Sequence, residues 1–383
     1  MFFALIALIK KEKTYPETEK RNFFEIIVAA RNEAEVLPYL LESLKGQDYP
    51  SDRYEIVVMP NSCTDNTKQV AMDHGARILE CPFTPHTKGQ LVNYAFKYFR
   101  KRKDIDAYVI FDADNVVDKS FLSHINRALE AGYEAGQGKR VGKNSSDNWL
   151  TQCYEVFFVY QNVLFNKPRT VSGINASVNG TGWFVNKKIA DEEGFNMKTL
   201  TEDLEFTARC ATRQHSIAYV PQAVTYDEFP SSLKVSMRQR TRWTYGQLCC
   251  LRQYWRKLIK NVGRGFSNFD VFMLFISPFV QLLSVIVGLI TLSINYSTIG
   301  GLTNLAKMGV FSALASFLVM FVASSLAVKR NGMSPLKNIK GIVMFPIFTA
   351  LVFPIVIYCL FLKDCEWKPI LHDRKIPISE KSV

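Results

Sequence analysis

Two aspartates, Asp112 and Asp114, are the strongest candidates for functional residues, because they directly follow a short apolar run. On an extended backbone, side chains two positions apart project to the same side. Two carboxylates in that arrangement suit Mg²⁺ or Mn²⁺, hard cations that take oxygen ligands and complete an octahedron with phosphate oxygens. The same pair could also belong to a solvated loop, so its meaning depends on the elements around it.

Two further motifs stand later in the sequence. Thr201-Glu202-Asp203 forms a third acidic site at the start of an amphipathic helix. Carboxylates at such a position also have a purely structural use, because they stabilise the helix dipole. The run QRTRW, Gln239–Trp243, stands just before the apolar C-terminal part of the chain. It could be a basic interfacial surface with an aromatic anchor. Neither motif assigns a function by itself.

The elements that position these motifs are short strands that alternate with amphipathic helices. Each predicted strand is an apolar run with the length of a buried strand. The segments between these runs have apolar residues at helical spacing. The alternation predicts the α/β class, with a mostly parallel sheet covered by helices on both faces. The predicted strands are Phe24–Ala30, Tyr54–Met59, Ala76–Glu80 and Ala107–Phe111.

Polar loops follow three of these strands, at Ala30–Glu33, Pro60–Asp65 and Asp112–Asp114. In sheets of this kind, ligands bind at the carboxyl ends of the strands. We therefore expect one polar, acidic edge of the sheet to hold the functional site. The sequence contains neither the Gly-x-Gly-x-x-Gly pattern nor the phosphate-loop pattern, which disfavours a dinucleotide dehydrogenase and a P-loop ATPase.

The apolar residues of the 383-residue chain are concentrated towards its C-terminus. Three runs there contain no charged residue, and each is long enough to cross the hydrocarbon core of a membrane. They are Val271–Ile294, Met308–Val328 and Gly341–Leu362. Pro346 and Pro354 make the third run a candidate for a re-entrant or interfacial segment. The apolar stretch at the N-terminus is too short to span, and we interpret it as a membrane-associated segment.

Lysines and arginines flank these runs and contribute to a net charge of +12. They cluster before the first run and between the second and third, so the positive-inside rule predicts a multi-pass protein of the cell membrane with residues 10–267 in the cytoplasm. Anionic membrane lipid is a better partner for this charge than nucleic acid, because no base-stacking motif accompanies it. Eight scattered cysteines without a Cys-x-x-Cys pair disfavour a zinc site.

Together, the order and spacing of the Asp-x-Asp, Thr-Glu-Asp and Gln-x-x-Arg-Trp motifs, followed by membrane spans, resemble the membrane-bound family 2 glycosyltransferases. Cellulose, chitin, hyaluronan and poly-N-acetylglucosamine synthases belong to that family. The resemblance covers roughly residues 24–250 and implies the GT-A fold, an α/β domain that binds nucleotide-sugars. We accordingly divide the chain into an N-terminal segment, a GT-A domain, interfacial helices, a transmembrane region and a tail, at residues 1–20, 21–240, 241–267, 268–362 and 363–383.

The resemblance also implies roles for the matching residues. Asp112 and Asp114 would hold Mg²⁺ or Mn²⁺, with Asp114 in direct contact. Asp203, which follows Glu202 in the catalytic motif, would be the general base. The positions for the nucleotide-sugar are Ala30, Arg31, Glu33, Asn61, Lys88, Asp112, Gln239 and Arg242, and those for the acceptor are Gly180, Thr181, Gly182 and Trp243. One departure is Asn61, which stands where the family usually presents an aspartate to the base.

The implied activity is inverting, metal-dependent transfer of a sugar of the glucose or N-acetylglucosamine type from a UDP-sugar to a growing polysaccharide. One base and in-line attack give inversion, without the carboxylate nucleophile of retaining glycosidases. The alternative is transfer of one sugar to a lipid-linked acceptor, because three or four spans are few for a polymer channel unless a partner subunit or a second copy contributes. A membrane scaffold with a degenerate nucleotide-binding domain and a nucleotidyltransferase are the other classes considered.

Overall fold

The computed structural model describes residue 6 and residues 9–192, 196–294 and 302–365. Residues 1–5, 7 and 8 of the predicted N-terminal segment lie outside this description, as do residues 366–383 of the predicted tail. The later part of the N-terminal segment packs on the sheet, because Tyr15 is buried and its hydroxyl donates to the Tyr219 carbonyl at 2.8 Å.

The first half of the sheet has the predicted parallel arrangement. Its strands are β1 (Phe24–Ala30), β2 (Tyr54–Pro60), β3 (Arg77–Ile78) and β4 (Ala107–Asp112), and the helices between them are α1 (Leu37–Lys45), α2 (Thr67–Asp73) and α3 (Lys88–Phe99). The strands pair in parallel in the order β3-β2-β1-β4. β1 is buried along nearly its whole length, as expected for a central strand with helices on both faces.

The second half turns the sheet into a mixed one. Its elements are β5 (Val116–Val117), α4 (Phe121–Glu130), β6 (Ala135–Gly142), α5 (Trp149–Val159), a π-helical segment (Tyr160–Asn166), α6 (Lys167–Val171), β7 (Trp183–Asn186), α7 (Lys187–Ala190), α8 (Glu202–Arg213) and β8 (Ile217–Asp227). Over the described residues, the strand order is β3-β2-β1-β4-β7-β6-β8-β5. β7 runs antiparallel to β4 and β6, and β5 runs antiparallel to β8. β6 and β8 pair in parallel. The predicted α/β class is confirmed, with a sheet that is parallel throughout its first half and mixed in its second.

Periodicity does not predict β6, because its sequence AGQGKRVG has no apolar alternation. Its glycines allow aromatic rings to approach the strand closely: a Cβ on Gly136 would lie 3.0 Å from Cζ of Phe184. The sheet separates two core layers, one that includes α1 and α4 and one that includes α3 and α8. The carboxyl ends of β1, β2 and β4 therefore face a space that neither layer fills.

Five α-helices complete the described chain: α9 (Leu233–Lys260), α10 (Phe266–Ile294), α11 (Leu302–Arg330), α12 (Ile339–Ala350) and α13 (Val352–Phe361). Among the described residues, three helical stretches are long and apolar enough to cross a membrane, namely Phe266–Ile294, Ala306–Arg330 and Ile339–Phe361. They coincide with the three predicted runs. The third consists of two helices, with the break at Leu351 and with Pro346 inside α12.

The apolar helices are joined to the sheet domain by specific contacts. Arg169 of α6 forms a two-point ion pair with Asp270, near the start of α10, with 2.6 Å from Nε to Oδ2 and 2.9 Å from Nη2 to Oδ1. Such a pair fixes orientation as well as distance. α12 packs on α5, while α9 contacts α8, α10 and α13. α9 therefore lies between the sheet domain and the candidate spans.

Candidate active site

A cavity of about 310 Å³ lies at the predicted edge of the sheet, between the strand ends and helices α8 and α9. It brings together residues that are far apart in the sequence, including Asp114, Asp203 and Arg242. The predicted site residues in its wall are Ala30, Arg31, Glu33, Asn61, Lys88, Asp112, Asp114, Gly180, Glu202, Asp203, Gln239, Arg242 and Trp243.

Two predicted acceptor residues, Thr181 and Gly182, do not line the cavity and need a different explanation. Thr181 is fully buried, and its hydroxyl donates to the side-chain oxygen of Asn115 and accepts from the Asp112 backbone N–H at 3.0 Å. Gly182 has a φ of 64° and donates its N–H to the Ile110 carbonyl at 2.9 Å. Both residues therefore support the aspartate loop from behind, and only Gly180 of this motif reaches the cavity.

Asp112 ends the extended backbone that the sequence predicts, whereas Asp114 lies on the turn that follows. Asp112 is the last residue of β4, and the N–H of Asn115 donates to the Asp112 carbonyl at 3.2 Å. Asp114 sits inside this turn and is buried, although it still contributes to the cavity wall. The turn aims both carboxylates at the cavity, which strand geometry alone would not ensure.

Lys88 connects the aspartate loop to the start of α8. Its ammonium donates to Asp112 Oδ1 at 2.6 Å and to the Gly180 carbonyl at 2.7 Å, and it lies 3.7 Å from Glu202 Oε1. Burial disfavours the charged ammonium, but the carboxylates of Asp112 and Glu202 outweigh it and raise the pKa of Lys88 above its ordinary value. The positively charged Lys88 side chain is therefore held beside both acidic motifs.

Glu202 and Asp203 open α8 and face the cavity. Burial raises the pKa of Glu202 to about 7, although the Lys88 ammonium acts in the opposite direction. Burial also raises the pKa of Asp203, against the opposing effects of the Leu204 N–H, which donates to Oδ1 at 2.8 Å, and of the Arg242 guanidinium. A carboxylate with a raised pKa is a better proton acceptor near neutral pH than an exposed one.

Helix α9 carries a second group of cavity residues on one face. Gln239, Arg242 and Trp243 are spaced three and four residues apart, which places them side by side on a helix. Arg242 donates to the Leu200 carbonyl at 3.2 Å, and Trp243 stacks on Phe157 with ring centroids 6.2 Å apart and planes at 16°. Within the described part of the chain, no group hydrogen-bonds the buried Oε1 of Gln239. That oxygen can accept a hydrogen bond from a bound ligand.

Part of the cavity wall is apolar and reaches the first candidate span. Phe157 and Phe158 come from α5, and Leu274 comes from α10. Gln247, also in the wall, donates its side-chain amide to the Leu274 carbonyl at 2.7 Å. That carbonyl has no helical donor, because the residue four positions later is Pro278, which lacks an N–H. Gln247 thus replaces the missing backbone donor at the place where α10 meets the cavity.

Residues 21–246, more than half of the chain, match the family model described as "Glycosyltransferase like family 2". The chain belongs to this family. The predicted membership, the predicted GT-A fold and the prediction that the chain is an enzyme, a glycosyltransferase, are thereby confirmed. The scaffold and nucleotidyltransferase hypotheses lose their support.

Individual relatives of this glycosyltransferase are distant. The "Probable glycosyltransferase YdaM" of Bacillus subtilis is 24% identical over 354 residues, which are 88% of this chain and 82% of the relative. A beta-monoglucosyldiacylglycerol synthase of Nostoc sp. is 24% identical over 264 residues, which are 67% of this chain but only 56% of that enzyme. The mannosyltransferase PcManGT of Pyrobaculum calidifontis, solved with GDP-Man and Mn²⁺, superposes with a TM-score of 0.60 at 15% identity, over 90% of this chain and 93% of its own. This last likeness shows the shared fold.

The donor groups in the cavity of the glycosyltransferase fit a hard divalent cation. Its wall carries seven carboxylates against four cationic side chains, and it includes no histidine or cysteine. Among the described residues, no cluster of three or more His, Cys, Asp or Glu side chains could hold a metal ion. Carboxylate oxygens such as those of Asp112 and Asp114 are suitable ligands for such an ion, which beside phosphates usually completes its shell with phosphate oxygens and water.

Several cavity residues escaped sequence reasoning. Arg140 of β6 forms an ion pair with Asp227, and its guanidinium lies 4.3 Å from the ring centroid of Phe158. Burial raises the pKa of Asp227, although the Arg140 guanidinium opposes that rise. The family resemblance includes Asp227, but no local signal marks Arg140 or Phe158, since β6 lacks an apolar pattern and Phe158 looks like any core residue of an apolar helix. Other wall residues that the sequence does not predict include Phe157, Asn179, Gln247 and Leu274.

Proposed function

We propose that this glycosyltransferase transfers one sugar of the glucose or N-acetylglucosamine type from a UDP-sugar to a lipid acceptor in the membrane, with inversion and with Mg²⁺ or Mn²⁺. Support comes from one observation: a single cavity joins the acidic groups Asp114 and Asp203 to an apolar wall that includes Leu274 of a candidate span. An acceptor with a polar hydroxyl and an apolar body matches both parts of this cavity.

The donor would bind at the edge of the sheet. Asp112 and Asp114 would hold the divalent ion, which when bound would help to offset the charge of the diphosphate. Arg242 and Lys88, two of the four cationic side chains in the wall, would stabilise the leaving nucleoside diphosphate as negative charge develops on it. Asn61, in the loop after β2, has an amide that can both donate and accept, which is compatible with uracil.

Asp203 would act as the general base. Its carboxylate would take the proton of the acceptor hydroxyl while the hydroxyl oxygen forms a bond to the anomeric carbon and the bond from that carbon to the diphosphate breaks. A single displacement inverts the anomeric centre, so no carboxylate nucleophile is required. Trp243 and Phe157 would hold the acceptor in position for attack, because proximity and orientation lower the barrier of such a step.

We favour a lipid acceptor because Phe157, Phe158 and Leu274 make part of the cavity wall apolar, and Leu274 belongs to a candidate membrane span. The name of the Nostoc relative, a glucosyldiacylglycerol synthase, points to the same chemistry. Extension of a polysaccharide, our prediction from the sequence, is the second candidate, since the Gln-x-x-Arg-Trp pattern at Gln239–Trp243 is shared with polymer synthases. In that case a partner subunit or a second copy would complete the channel.

The positive charge around the spans supports a multi-pass protein whose catalytic domain faces the cytoplasm. Cytoplasmic nucleotide-sugar would then reach the edge of the sheet directly, while the acceptor would approach α10 from the bilayer. Labelling of single engineered cysteines in the 329–340 segment with a membrane-impermeant reagent in intact cells tests this orientation. Protection of that segment is expected, and labelling from outside would reverse the assignment.

A product assay with the full-length protein in lipid nanodiscs tests the proposal. Radiolabelled UDP-glucose, UDP-N-acetylglucosamine and GDP-mannose would each be supplied with diacylglycerol, and with Mg²⁺, Mn²⁺ or a chelator. We expect an organic-extractable adduct of one sugar with a UDP donor and no product in chelator. A ladder of water-soluble products would favour the polysaccharide candidate, use of GDP-mannose alone would overturn the UDP assignment, and full activity in chelator would overturn the metal assignment. Asp203→Asn provides the inactive control.

A further inference from the structure

A buried glutamate outside the cavity wall, Glu205, lies at the centre of the contacts that hold the catalytic motif in place. Residues 196–201 form an irregular segment that leads directly into Glu202 and Asp203 at the start of α8. We call this segment the base loop. An irregular segment has no backbone ladder of its own, so other groups must define its position.

One carboxylate oxygen of Glu205 holds the base loop. Glu205 is 0% exposed, and its Oε2 accepts hydrogen bonds from the backbone N–H groups of Lys198 and Thr199, each at 2.7 Å. Hydrogen bonds to an ionised carboxylate are shorter and stronger than neutral ones. The first turn of α8 is thereby closed onto the loop that precedes it.

The other oxygen of Glu205 reaches α9. Its Oε1 accepts from the Tyr254 hydroxyl at 2.9 Å and from the Gln253 amide at 3.4 Å. Arg209 donates to the same oxygen from Nε at 3.2 Å and from Nη2 at 3.1 Å. A buried charge is tolerated when it is paired and hydrogen-bonded in this way. The same side chain therefore joins the base loop, α8 and α9.

The middle of α9 packs directly on the base loop. A methyl group on Gly246 would lie 2.6 Å from Thr201 Oγ1 and 3.0 Å from Thr201 Cβ, so only glycine allows this approach. Cys250 Sγ lies 3.4 Å from Thr199 Oγ1. Gly246, Cys250 and Tyr254 follow one another at helical spacing and lie on one face of α9.

Together these contacts point to a function for α9 as the common support of the reaction. Its first turns carry Arg242 and Trp243 into the cavity, and its later turns hold the loop that ends in Asp203. We propose that Glu205 is a positioning residue, which sets Asp203 relative to Arg242 and Trp243 by fixing the base loop to α9. We call the hydrogen bonds from Lys198, Thr199 and Tyr254 to Glu205 the clamp. The assignment of Asp203 as the base rests on the proposed function, whereas the clamp does not depend on the identity of the acceptor.

The expected consequence is a separation of chemistry from donor binding. Lys88, Asp112 and Asp114 lie on other elements, so UDP-sugar should still bind when the clamp is broken. Misplacing a reacting group by about 1 Å can cost about 10²-fold in rate. We expect Glu205→Gln to lower kcat by about 10²-fold and to leave the KM for UDP-sugar within about twofold. Glu205→Asp, which keeps the charge on a shorter side chain, should recover part of the loss.

The matched control is Glu25→Gln. Glu25 is equally buried, is paired with Arg102 at 3.1 Å, and lies in β1 outside the cavity wall. The Glu25→Gln protein should keep the wild-type kcat. A Glu205→Gln protein with unchanged kcat, or with a donor KM that rises while kcat stays constant, would overturn the proposal. Equal losses of kcat in both variants would reduce Glu205 to a structural role.

Gly246→Ala tests the same inference from α9, because its added methyl group would displace Thr201 of the base loop. Its kcat should fall. Thr201→Ala removes Oγ1 and Cγ2, the two atoms nearest to the new methyl group, and should restore part of the kcat as a non-additive effect in a double-mutant cycle. Gly263→Ala is the control, because nothing lies within 4 Å of the added methyl. Simple additivity in the cycle would contradict the clamp.

Hydrogen exchange gives a readout that requires no activity. In Glu205→Gln, the amides of Lys198 and Thr199 lose their anionic acceptor and should exchange faster, whereas exchange in α3 should be unchanged. Unaltered exchange in the base loop would refute the clamp even if the wild-type protein transferred no sugar to diacylglycerol. Failure of the proposed function and failure of this inference are therefore distinguishable.

Discussion

The two sides of the active-site cavity are built in different ways. On the side proposed to bind the donor, Lys88 and Asp112 lie at a helix start and a strand end and are joined by a 2.6 Å ion pair. On the side proposed to bind the acceptor, Phe157 stacks on Trp243 with ring centroids 6.2 Å apart, and Leu274 of a third helix lines the same cavity. The sheet fixes the first group, and contacts between helices fix the second.

We expect this difference to separate the control of the two substrates. The donor side is polar, and a parallel sheet edge restrains it, so its chemistry should tolerate changes in the membrane helices. The acceptor side depends on how α5, α9 and α10 pack, so the choice of acceptor should respond to single apolar substitutions there. Asp203 stands between the two sides and should be needed for every turnover.

Replacement of Asp203 should have the largest effect. Asp203→Asn keeps the shape of the side chain but removes its ability to accept a proton, which we expect to lower kcat by about 10³-fold. UDP binding, measured by calorimetry, should change by no more than about twofold, because the donor side is intact. The rate is measured by transfer of labelled sugar. If the amide variant kept about a tenth of the wild-type kcat or more, Asp203 would not be the base.

Replacement of Asp114 should affect the donor side alone. Asp114→Ala removes a carboxylate that would hold the divalent ion, and we expect kcat/KM for UDP-sugar to fall by about 10²-fold. The Mn²⁺ concentration needed for half-maximal rate should rise, while the KM for the acceptor should not. Asp52→Ala is the control, since Asp52 is an exposed carboxylate remote from the cavity wall. An unchanged metal requirement in Asp114→Ala would argue against its contact with the ion.

Acidification should reduce the rate by about tenfold per pH unit below the pKa of the base. Asp203 must be deprotonated to act, and burial raises its pKa, so activity is present above that pKa and is lost as the pH falls through it. The loss should begin at a higher pH than for an exposed aspartate. A rate that stays constant down to the ordinary pKa of aspartate would contradict this assignment.

The sequence predicts the donor side well, because strands end where apolar runs end and polar residues follow. Asp112 was found in this way. The acceptor side was predicted only where the family pattern reached it, as at Trp243. Phe158 and Leu274 could not be predicted, since their function comes from packing between segments far apart in the chain. The resemblance to the family assigns Thr181 to the acceptor together with its neighbour Gly180, but the structure buries Thr181, where it supports the aspartate loop.

Truncation of Leu274 should give the smallest effect and should be confined to the acceptor side. Leu274→Ala removes part of the apolar wall, and we expect the KM for diacylglycerol to rise by about tenfold, since burying a few methylene groups is worth about 1–3 kcal/mol. The KM for UDP-sugar and the rate of UDP release without acceptor should stay constant. These values are measured in nanodiscs with acceptor at varied mole fraction.

The control is Leu289→Ala, because Leu289 lies on the same helix with 61% of its surface exposed and does not line the cavity. Equal effects of the two truncations would mean that α10 acts through its general apolar character and not through the wall. A rise in the UDP-sugar KM in Leu274→Ala would remove the division between the two sides. A change limited to the lipid acceptor would show that the first candidate span selects the acceptor while the sheet edge selects the donor.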